Sequence, residues 1–383
     1  MRHVAPILAV ILAVTPLLAA GATATAPEPN AVFVYEISEI NRIRATLFDR
    51  VQQRALDHLD TVTTFPLYGG RGIESNDQIQ FSAATRRIYA AFSNVEEYNG
   101  PTRSNPDLPF DGAIMESDFD WTSPTPVFTC DQFCSIDQWI VHPTKPVLYV
   151  SLADAYQPDA DEFRNAKLIE VTLAPKRRTR VLGRIPANAA IHITPDGKNL
   201  FTFRSAANSN SYGVLTSINL TSRKRTETTV NVPSRNTFGL STSPQSSNVS
   251  PDALKMAYHM GVVDVRTGKT EHIDTDITSY DLDNTFIGWS RDSRKILFQL
   301  MEAGGVDDRI EVPLLYDRTS KREWVLDLQD AHFLDWSPAQ TAILFAKRGD
   351  IGFYDLEARE WVFVAKGMDG SWVTLPTKKV PKR

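Results

Sequence analysis

The side chains best suited to chemistry occupy equivalent positions in a nine-residue segment that recurs along the chain, called here the phrase, whose copies are given below. Four of them lie three residues before the third residue of a copy: Gln80, His192, Asn248 and Asp335. A second shared place, six residues before that third residue, is held by His332 and Asp137. Imidazole and carboxylate groups ligate metal ions, and amides hydrogen-bond small polar ligands. If the repeats converge, the sequence predicts a polar site for a metal or small ligand from Gln80, His192, Asn248, His332 and Asp335, with bound water as the alternative.

Other chemical motifs are incomplete. The carboxylates of residues 154–162 lack the spacing of a calcium loop, and Asp118 and Asp120 have no partner for glycoside chemistry. Residues 239–243 miss the last glycine of a nucleophile elbow. The metalloprotease motif His-Glu-x-x-His and the phosphate-binding loop do not occur. The sequence therefore identifies no catalytic residue, favours a non-enzymatic protein, and predicts no cofactor or dedicated metal, with calcium or another divalent ion as the alternative.

The elements that would position these side chains come from the repeated phrase itself. Its copies are FSAATRRIY (81–89), VHPTKPVLY (141–149), ITPDGKNLF (193–201), VSPDALKMA (249–257), WSRDSRKIL (289–297) and WSPAQTAIL (336–344). Each copy is typical of a strand, a tight turn supplied by Pro, Asp or Gly, and a second strand. The copies begin 40 to 60 residues apart, which is the spacing of β-propeller blades.

A second hairpin follows most copies, so each unit has four strands. The sequence predicts an all-β propeller of about six four-stranded blades over residues 78–375, followed by a basic tail at 376–383. Residues 25–77 are interpreted as an extension, with a strand at 32–37 and an amphipathic helix from about Ser38 to Leu59. Five or seven blades are the alternatives, because a long insertion interrupts the first repeat and the 32–37 strand is available to close the ring.

The phrase carries a family resemblance. Its clearest copies resemble the TolB-type, WD40-like propeller repeat, whose core reads Trp-Ser-Pro-Asp-Gly-Lys-x-Ile-x-Phe. The resemblance covers roughly residues 78–365 and implies the fold without implying an activity. TolB-type proteins join the propeller to a sizeable amino-terminal α/β domain. The residues before the first repeat are too few for that domain, so the resemblance concerns the propeller part alone.

The first residues are typical of an export signal. A basic start leads into an apolar run at 4–20 and then into small residues, which predicts cleavage after Ala24. A retained anchor is the alternative, and no later segment resembles a membrane span. We expect a periplasmic or secreted protein, where Cys130 and Cys134 would form a local disulfide.

Charge and loop length divide between two predicted faces. Short turns carry cations such as those at 176–178 and 223–225, whereas long irregular segments, including 94–135 and 153–165, carry acids such as Glu116 and Asp118. The formal net charge of −5 gives no reason to expect nucleic acid. We expect a monomeric binding or scaffold module that takes a protein or envelope ligand on its long-loop face. The alternative is a metal-assisted lyase or hydrolase acting on saccharides at the channel mouth.

Overall fold

Seven antiparallel sheets of three or four described strands dominate the structure, which is a computed structural model. It describes residues 31–37, 42–50, 53–62, 79–93, 95–96, 102–103, 107, 109–119, 121, 123–131, 134–153, 165–186, 190–194, 196–205, 212–231, 250–252, 254–258, 261–264, 267, 269–273, 280–302, 311–337, 339–373 and 375. The sheets are the blades of a β-propeller, numbered here in chain order.

The first four blades contain most of the strands from the amino-terminal half. Blade 1 comprises β1 (Ala31–Ile37), β2 (Arg42–Asp49), β3 (Arg54–Val62) and, from the far end of the chain, β29 (Asp369–Val373). Blade 2 comprises β4 (Ile79–Ser82), β5 (Arg87–Ser93), β8 (Gly112–Ser117) and β9 (Thr125–Cys130), with a small hairpin of β6 (Val95–Glu96) and β7 (Thr102–Arg103) between β5 and β8. Blade 3 comprises β10 (Ser135–Val141), β11 (Val147–Ala153), β12 (Asn165–Thr172) and β13 (Arg178–Pro186). Blade 4 comprises β14 (Ala190–Ile193), β15 (Asn199–Ser205), β16 (Tyr212–Asn219) and β17 (Arg225–Asn231).

The remaining blades follow the same up-and-down order. Blade 5 has three described strands, β18 (Lys255–Tyr258), β19 (Gly261–Asp264) and β20 (Thr270–His272). Blade 6 comprises β21 (Tyr280–Trp289), β22 (Lys295–Glu302), β23 (Glu311–Asp317) and β24 (Arg322–Val325). Blade 7 comprises β25 (Ala331–Trp336), β26 (Ala342–Lys347), β27 (Asp350–Asp355) and β28 (Glu360–Lys366).

The ring closes where the two ends of the chain share blade 1. Strand β29 pairs antiparallel with β1, in a register that sets Ala31 opposite Val373 and Val34 opposite Gly370. The predicted count of six blades is therefore wrong. The six copies of the phrase lie in blades 2 to 7, and the seventh blade escaped the repeat search because its hairpins carry no copy and its inner strand comes from the carboxyl-terminal end.

The helix predicted from Ser38 to Leu59 is also wrong, because the described residues of that segment form β2 and β3. Ile43 and Leu47 are four residues apart, which fits a helix, but Ile43, Ala45 and Leu47 also alternate with Arg44 and Thr46. The alternating pattern prevails because β2 pairs with strands on both sides and buries Ile43, Ala45 and Leu47 together. No helix occurs in the described part of the chain.

The hydrophobic core is divided into wedges between neighbouring blades. Phe33 of β1 packs with Ile79 and Ile88 of blade 2, whereas Val32 of the same strand packs with Leu344 of blade 7. Successive residues of a strand point to opposite faces, so each sheet buries apolar side chains on both faces. Each blade therefore depends on both neighbours, and blade 1 is buried on both faces only when the ring is closed.

The repeated phrase builds one turn in several blades. In blade 5 the Ser250 hydroxyl donates to Asp252 Oδ1 at 2.5 Å and accepts from the Lys255 amide at 2.9 Å, while Asp252 Oδ1 accepts the Leu254 amide at 3.0 Å. Blades 4 and 6 repeat these contacts with Thr194 and Ser290. The Ser-x-Asp part of the phrase thus satisfies the backbone amides of the turn.

Blade 3 replaces that serine with His142. Its Nδ1 accepts the amides of Thr144 and Lys145, both at 3.1 Å, so the proton is on Nε2, which donates to the Gly197 carbonyl of blade 4 at 3.0 Å. Gly197 has φ of +67°, and a Cβ there would lie 2.2 Å from the imidazole. Burial lowers the pKa of His142 to about 4, which keeps the ring neutral for this structural role.

Within the described ranges, no helix has the length and apolar character that a membrane crossing requires.

The closure predicts a strong effect of Gly370→Val. A Cβ at Gly370 would lie 2.8 Å from the Phe33 carbonyl oxygen, so the larger side chain must push β29 away from β1. We expect a loss of about 1–3 kcal/mol in the free energy of unfolding, measured by urea denaturation. The control is Ser371→Val, which adds apolar bulk to the next residue of β29 where a Cβ already fits. Equal stability of the Gly370→Val variant and the parent protein would contradict this closure.

Candidate functional site

The first strands of blades 2, 3, 4, 6 and 7, which are β4, β10, β14, β21 and β25, form the described inner wall of the ring together with β29. Gln80 of β4 spans the junction between blades 2 and 3. Its Nε2 donates to the Trp139 carbonyl at 3.0 Å, and its Oε1 accepts the Val141 amide at 2.8 Å. Both partners belong to β10, whose inner edge has no strand beside it. The Gln80 side chain therefore satisfies polar groups on an open sheet edge.

Two further side chains make the same kind of link. Gln138 of β10 accepts the Ile191 amide of β14 at 2.7 Å, which joins blade 3 to blade 4. Asp335 of β25 accepts the Trp372 amide of β29 at 3.0 Å, which joins blade 7 to blade 1. These inner polar groups hold adjacent blades together, and we name them inter-blade clamps.

Asp335 also contacts a cation from blade 6. Arg291 Nη2 lies 3.3 Å from Asp335 Oδ2, and Arg291 Nε donates to the Trp336 carbonyl at 2.9 Å. The Asp335 side chain is mostly buried. Burial raises the pKa of Asp335, although Arg291 and the Trp372 amide favour its ionised form.

A second buried carboxylate lies beside this clamp. Asp369, the first residue of β29, accepts the Tyr35 hydroxyl at 3.1 Å and its Oδ1 accepts the Gly370 amide at 2.6 Å. Burial raises the pKa of Asp369 to about 7, and the charge of Asp335 contributes to the rise. The two carboxylates, with Arg291 and Tyr35, form the polar cluster at the ring closure.

The other predicted site residues are more dispersed. His192 is buried in β14, whereas His332 of β25 is exposed. Asn248 and the side chain of Asp137 lie outside the described residues. No group of three or more metal-ligating side chains occurs in the part of the chain that the structure describes. Ligand binding by Gln80, His192, Asn248, His332 and Asp335 stays a prediction, and two of these five are inter-blade clamps.

Sequence reasoning missed Asp369, Arg291 and Tyr35. Asp369 and Tyr35 lie in blade 1, which has no copy of the phrase. Arg291 occupies the proline place of its copy, and this departure from the repeat was the available signal. In the structure this arginine forms the ion pair with Asp335 across the junction of blades 6 and 7.

The predicted disulfide is confirmed. Cys130 ends β9 and Cys134 precedes β10, so the bond fixes the short connection from blade 2 to blade 3. Both cysteines are buried in the apolar wedge between these blades, with Ile136 and Trp139. The bond therefore packs as part of the core as well as linking the two strands.

The predicted division of charge needs one correction. The segment 94–135 is not a single long loop, because it contains β8 and β9. Glu116 and Asp118 lie at the turn between these strands, on the face of the short turns, where they pair with Arg177 and Arg87. The short-turn face thus carries acids as well as cations.

The fold and the inner wall define the chain as a closed seven-bladed β-propeller. Among solved structures it is similar to an oligogalacturonate lyase in complex with manganese, with a TM-score of 0.51, 9% identity, and coverage of 88% of this chain and 84% of that chain. It is also similar to an oligogalacturonate lyase from Vibrio parahaemolyticus (TM-score 0.46, 8% identity, 88% and 85% coverage) and to a TolB candidate from Agrobacterium tumefaciens (TM-score 0.36, 14% identity, 78% and 89% coverage).

No protein-family model matches the chain, and no curated protein matches it. Because the identities to solved structures are so low, the likeness shows the propeller fold alone. The TolB-type resemblance is thus supported as a propeller resemblance and no further.

The polar cluster at the ring closure predicts a pH-dependent stability. Between about pH 4 and pH 7 the folded protein keeps a proton on Asp369 that the unfolded chain releases, so the free energy of unfolding falls as pH rises through this window. In Asp369→Asn the amide oxygen can accept the Gly370 amide and the NH₂ can donate to Tyr35. We expect this variant to lose that decline, measured by urea denaturation at a series of pH values.

Asp317→Asn provides a control of opposite sign. Amides of Thr319 and Ser320 hold the pKa of Asp317 below its usual value, so its ionised form stabilises the fold and that contribution is lost as pH falls. Removing this carboxylate should flatten the acid side of the profile and leave the decline toward pH 7 intact. Parallel profiles for Asp369→Asn and the parent protein would show that Asp369 titrates normally.

Proposed function

We propose that this protein is an exported, non-catalytic β-propeller that binds a protein or envelope component through its long-loop face. The observation that supports this proposal is the way in which the polar side chains of the inner wall are hydrogen-bonded. Gln80, Gln138 and Asp335 are bonded to the backbone of the next blade. Groups committed in this way stabilise the ring and have little capacity left for a substrate.

The long loops that the sequence predicts share one face of the propeller. The longest are predicted between the second and third strands of a blade or between two blades, as at 154–164 between β11 and β12 and 232–245 after β17. Loops on a rigid scaffold tolerate insertion and carry binding residues in many folds. We propose the same use here.

Site-directed photo-crosslinking in cells of the source organism tests this proposal. A photoreactive residue at position 158 or 240, in the long loops, should give a discrete crosslinked partner. The same residue at position 269 or 319, in short turns, is the control and should give none. Crosslinks confined to the short turns would overturn the proposed face. The fractionated cells also report export, because mature protein should lack residues 1–24.

An enzyme is the second candidate, and the two buried carboxylates at the ring closure favour it. Carboxylates with raised pKa values, such as Asp335 and Asp369, are common in active sites. The manganese-bound lyase of similar fold suggests the reaction class, a metal-assisted lyase or hydrolase acting on saccharides. Residues such as Asp335 and His192 would then bind the metal or the saccharide.

Calorimetric titration with Mn²⁺, together with an assay for cleavage of oligogalacturonate, separates the two candidates. The enzyme requires stoichiometric metal and product formation, and both should fall at least about tenfold in Asp335→Asn and His192→Ala. Asp317→Asn, outside the inner wall, is the matched control. Absence of metal binding and of cleavage would favour the binding module.

A further inference from the structure

Strand β29 is held in the ring differently from the other described inner strands. Strands β4, β10, β14, β21 and β25 each continue through a tight turn into the second strand of the same blade, so a hairpin fixes their position. Strand β29 has no such turn, because its partner β1 comes from the other end of the described chain. It can therefore leave β1 without breaking a hairpin.

The described polar contacts that hold β29 are few. One edge of the strand pairs with β1 over five residues, Asp369–Val373. On the inner wall, the Asp335 carboxylate accepts the Trp372 amide at 3.0 Å. The link from blade 7 adds a hydrogen bond from the Met368 amide to the Tyr35 carbonyl at 2.9 Å. The ring is thus closed by a short ladder of backbone bonds, an inter-blade clamp and the burial of apolar side chains.

Asp369 is buried at the start of this ladder. The residue is 2% exposed, and its carboxylate accepts the Tyr35 hydroxyl at 3.1 Å and the Gly370 amide at 2.6 Å. The cation of the polar cluster at the ring closure, Arg291, pairs with Asp335 instead. A buried carboxylate that has hydrogen bonds but no cation beside it is costly to ionise. Any charge on Asp369 therefore acts against the closed ring.

The groups around Asp369 also oppose its ionisation. Burial raises the pKa of Asp369 to about 7, and the hydrogen bonds, including that from Tyr35 on β1, oppose this rise only in part. Asp335 of β25 adds to the rise and is the one described charge that shifts this pKa. The other ionisable groups on the blade 7 strands that contact β29 are His332 of β25 and Lys347 of β26, and neither shifts it.

We propose that β29 is a latch, a strand that closes or opens the ring, and that ionisation of Asp369 releases it. The neutral carboxyl group fits the buried junction. Ionisation places a second buried negative charge beside Asp335 and favours the released strand, in which water solvates the carboxylate. Release exposes the edge of β1 and the apolar surfaces that Trp372 and Val373 cover. The latch belongs to the fold and does not depend on the proposed long-loop face.

The dependence on pH follows from the protons that the two forms bind. The latched form keeps the proton on Asp369 up to about pH 7, whereas the released form loses it near the ordinary value of about 4. The equilibrium constant for release should therefore rise by up to about tenfold per pH unit between about pH 4 and pH 7 and stay level outside this window. The latch is thus firm in acid and weaker near neutrality.

Amide hydrogen exchange of the purified full chain, followed by mass spectrometry, tests the latch. The measured quantity is the protection factor, from which the intrinsic pH dependence of exchange has been removed. At about pH 7 the amides of β29 should be less protected than those of β26, because local release requires less free energy than global unfolding. The protection of β29 should fall by up to about tenfold per pH unit between about pH 4 and pH 7.

Two variants separate the ionisation of Asp369 from a general loosening of the ring. Asp369→Asn can keep both hydrogen bonds without a charge, so the protection of β29 should no longer fall in this window. Tyr35→Phe removes a donor to the carboxylate and keeps the aromatic ring, which raises the pKa of Asp369 and should move the fall to higher pH. Tyr354→Phe removes a buried tyrosine hydroxyl from blade 7 and is the matched control, with the parent profile expected.

Three results would overturn the proposal. The first is equal protection of β29 and β26 at every pH, which would mean that β29 leaves only when the whole protein unfolds. The second is a protection of β29 that stays constant between about pH 4 and pH 7. The third is the parent profile in Asp369→Asn or in Tyr35→Phe, which would assign the titration to another group. None of these outcomes changes the crosslinking result expected at the long loops.

Discussion

The pairing of β29 with β1 is the contact on which the rest of the structure depends. It joins the two ends of the described chain in one sheet, so β1 has a hydrogen-bonded strand on each side. Because the apolar wedges lie between blades, opening this pair would expose Val32 and Leu344 on one side and Phe33 and Ile79 on the other. Closure is therefore coupled to the burial of two wedges at once.

Polar contacts reinforce the junctions that the apolar wedges create. Gln80 joins blades 2 and 3, Glu170 joins blades 3 and 4, and Arg318 of blade 6 pairs with Glu271 of blade 5. At the inner wall, the inter-blade clamps bond one side chain to the backbone of the next blade. Farther out, the contacts between blades are ion pairs such as those of Arg223 and Arg318.

Much of the fold could be predicted from the sequence, because six blades carry a copy of the phrase and blades 4, 5 and 6 share its turn contacts. Ser250 and Asp252 bond the same backbone groups as Ser290 and Asp292, and this local requirement repeats visibly along the chain. Blade 1 could not be counted in this way, since its inner strand is separated from its other strands by almost the whole chain. The choice of strand over helix at Ile43 and Leu47 likewise depended on partners that the local pattern does not specify.

The candidate site was less predictable than the fold for a related reason. A polar residue at an inner position can face a ligand or the next blade, and sequence position alone does not distinguish them. Gln80 and Asp335 occupy the same place in their repeats, and both are bonded to a neighbouring strand. Asp335 differs because a second carboxylate, Asp369, lies nearby, and burial of both raises their pKa values. A structural clamp needs no such pair, so the junction of blades 7 and 1 is where chemistry beyond ring closure has the strongest physical basis.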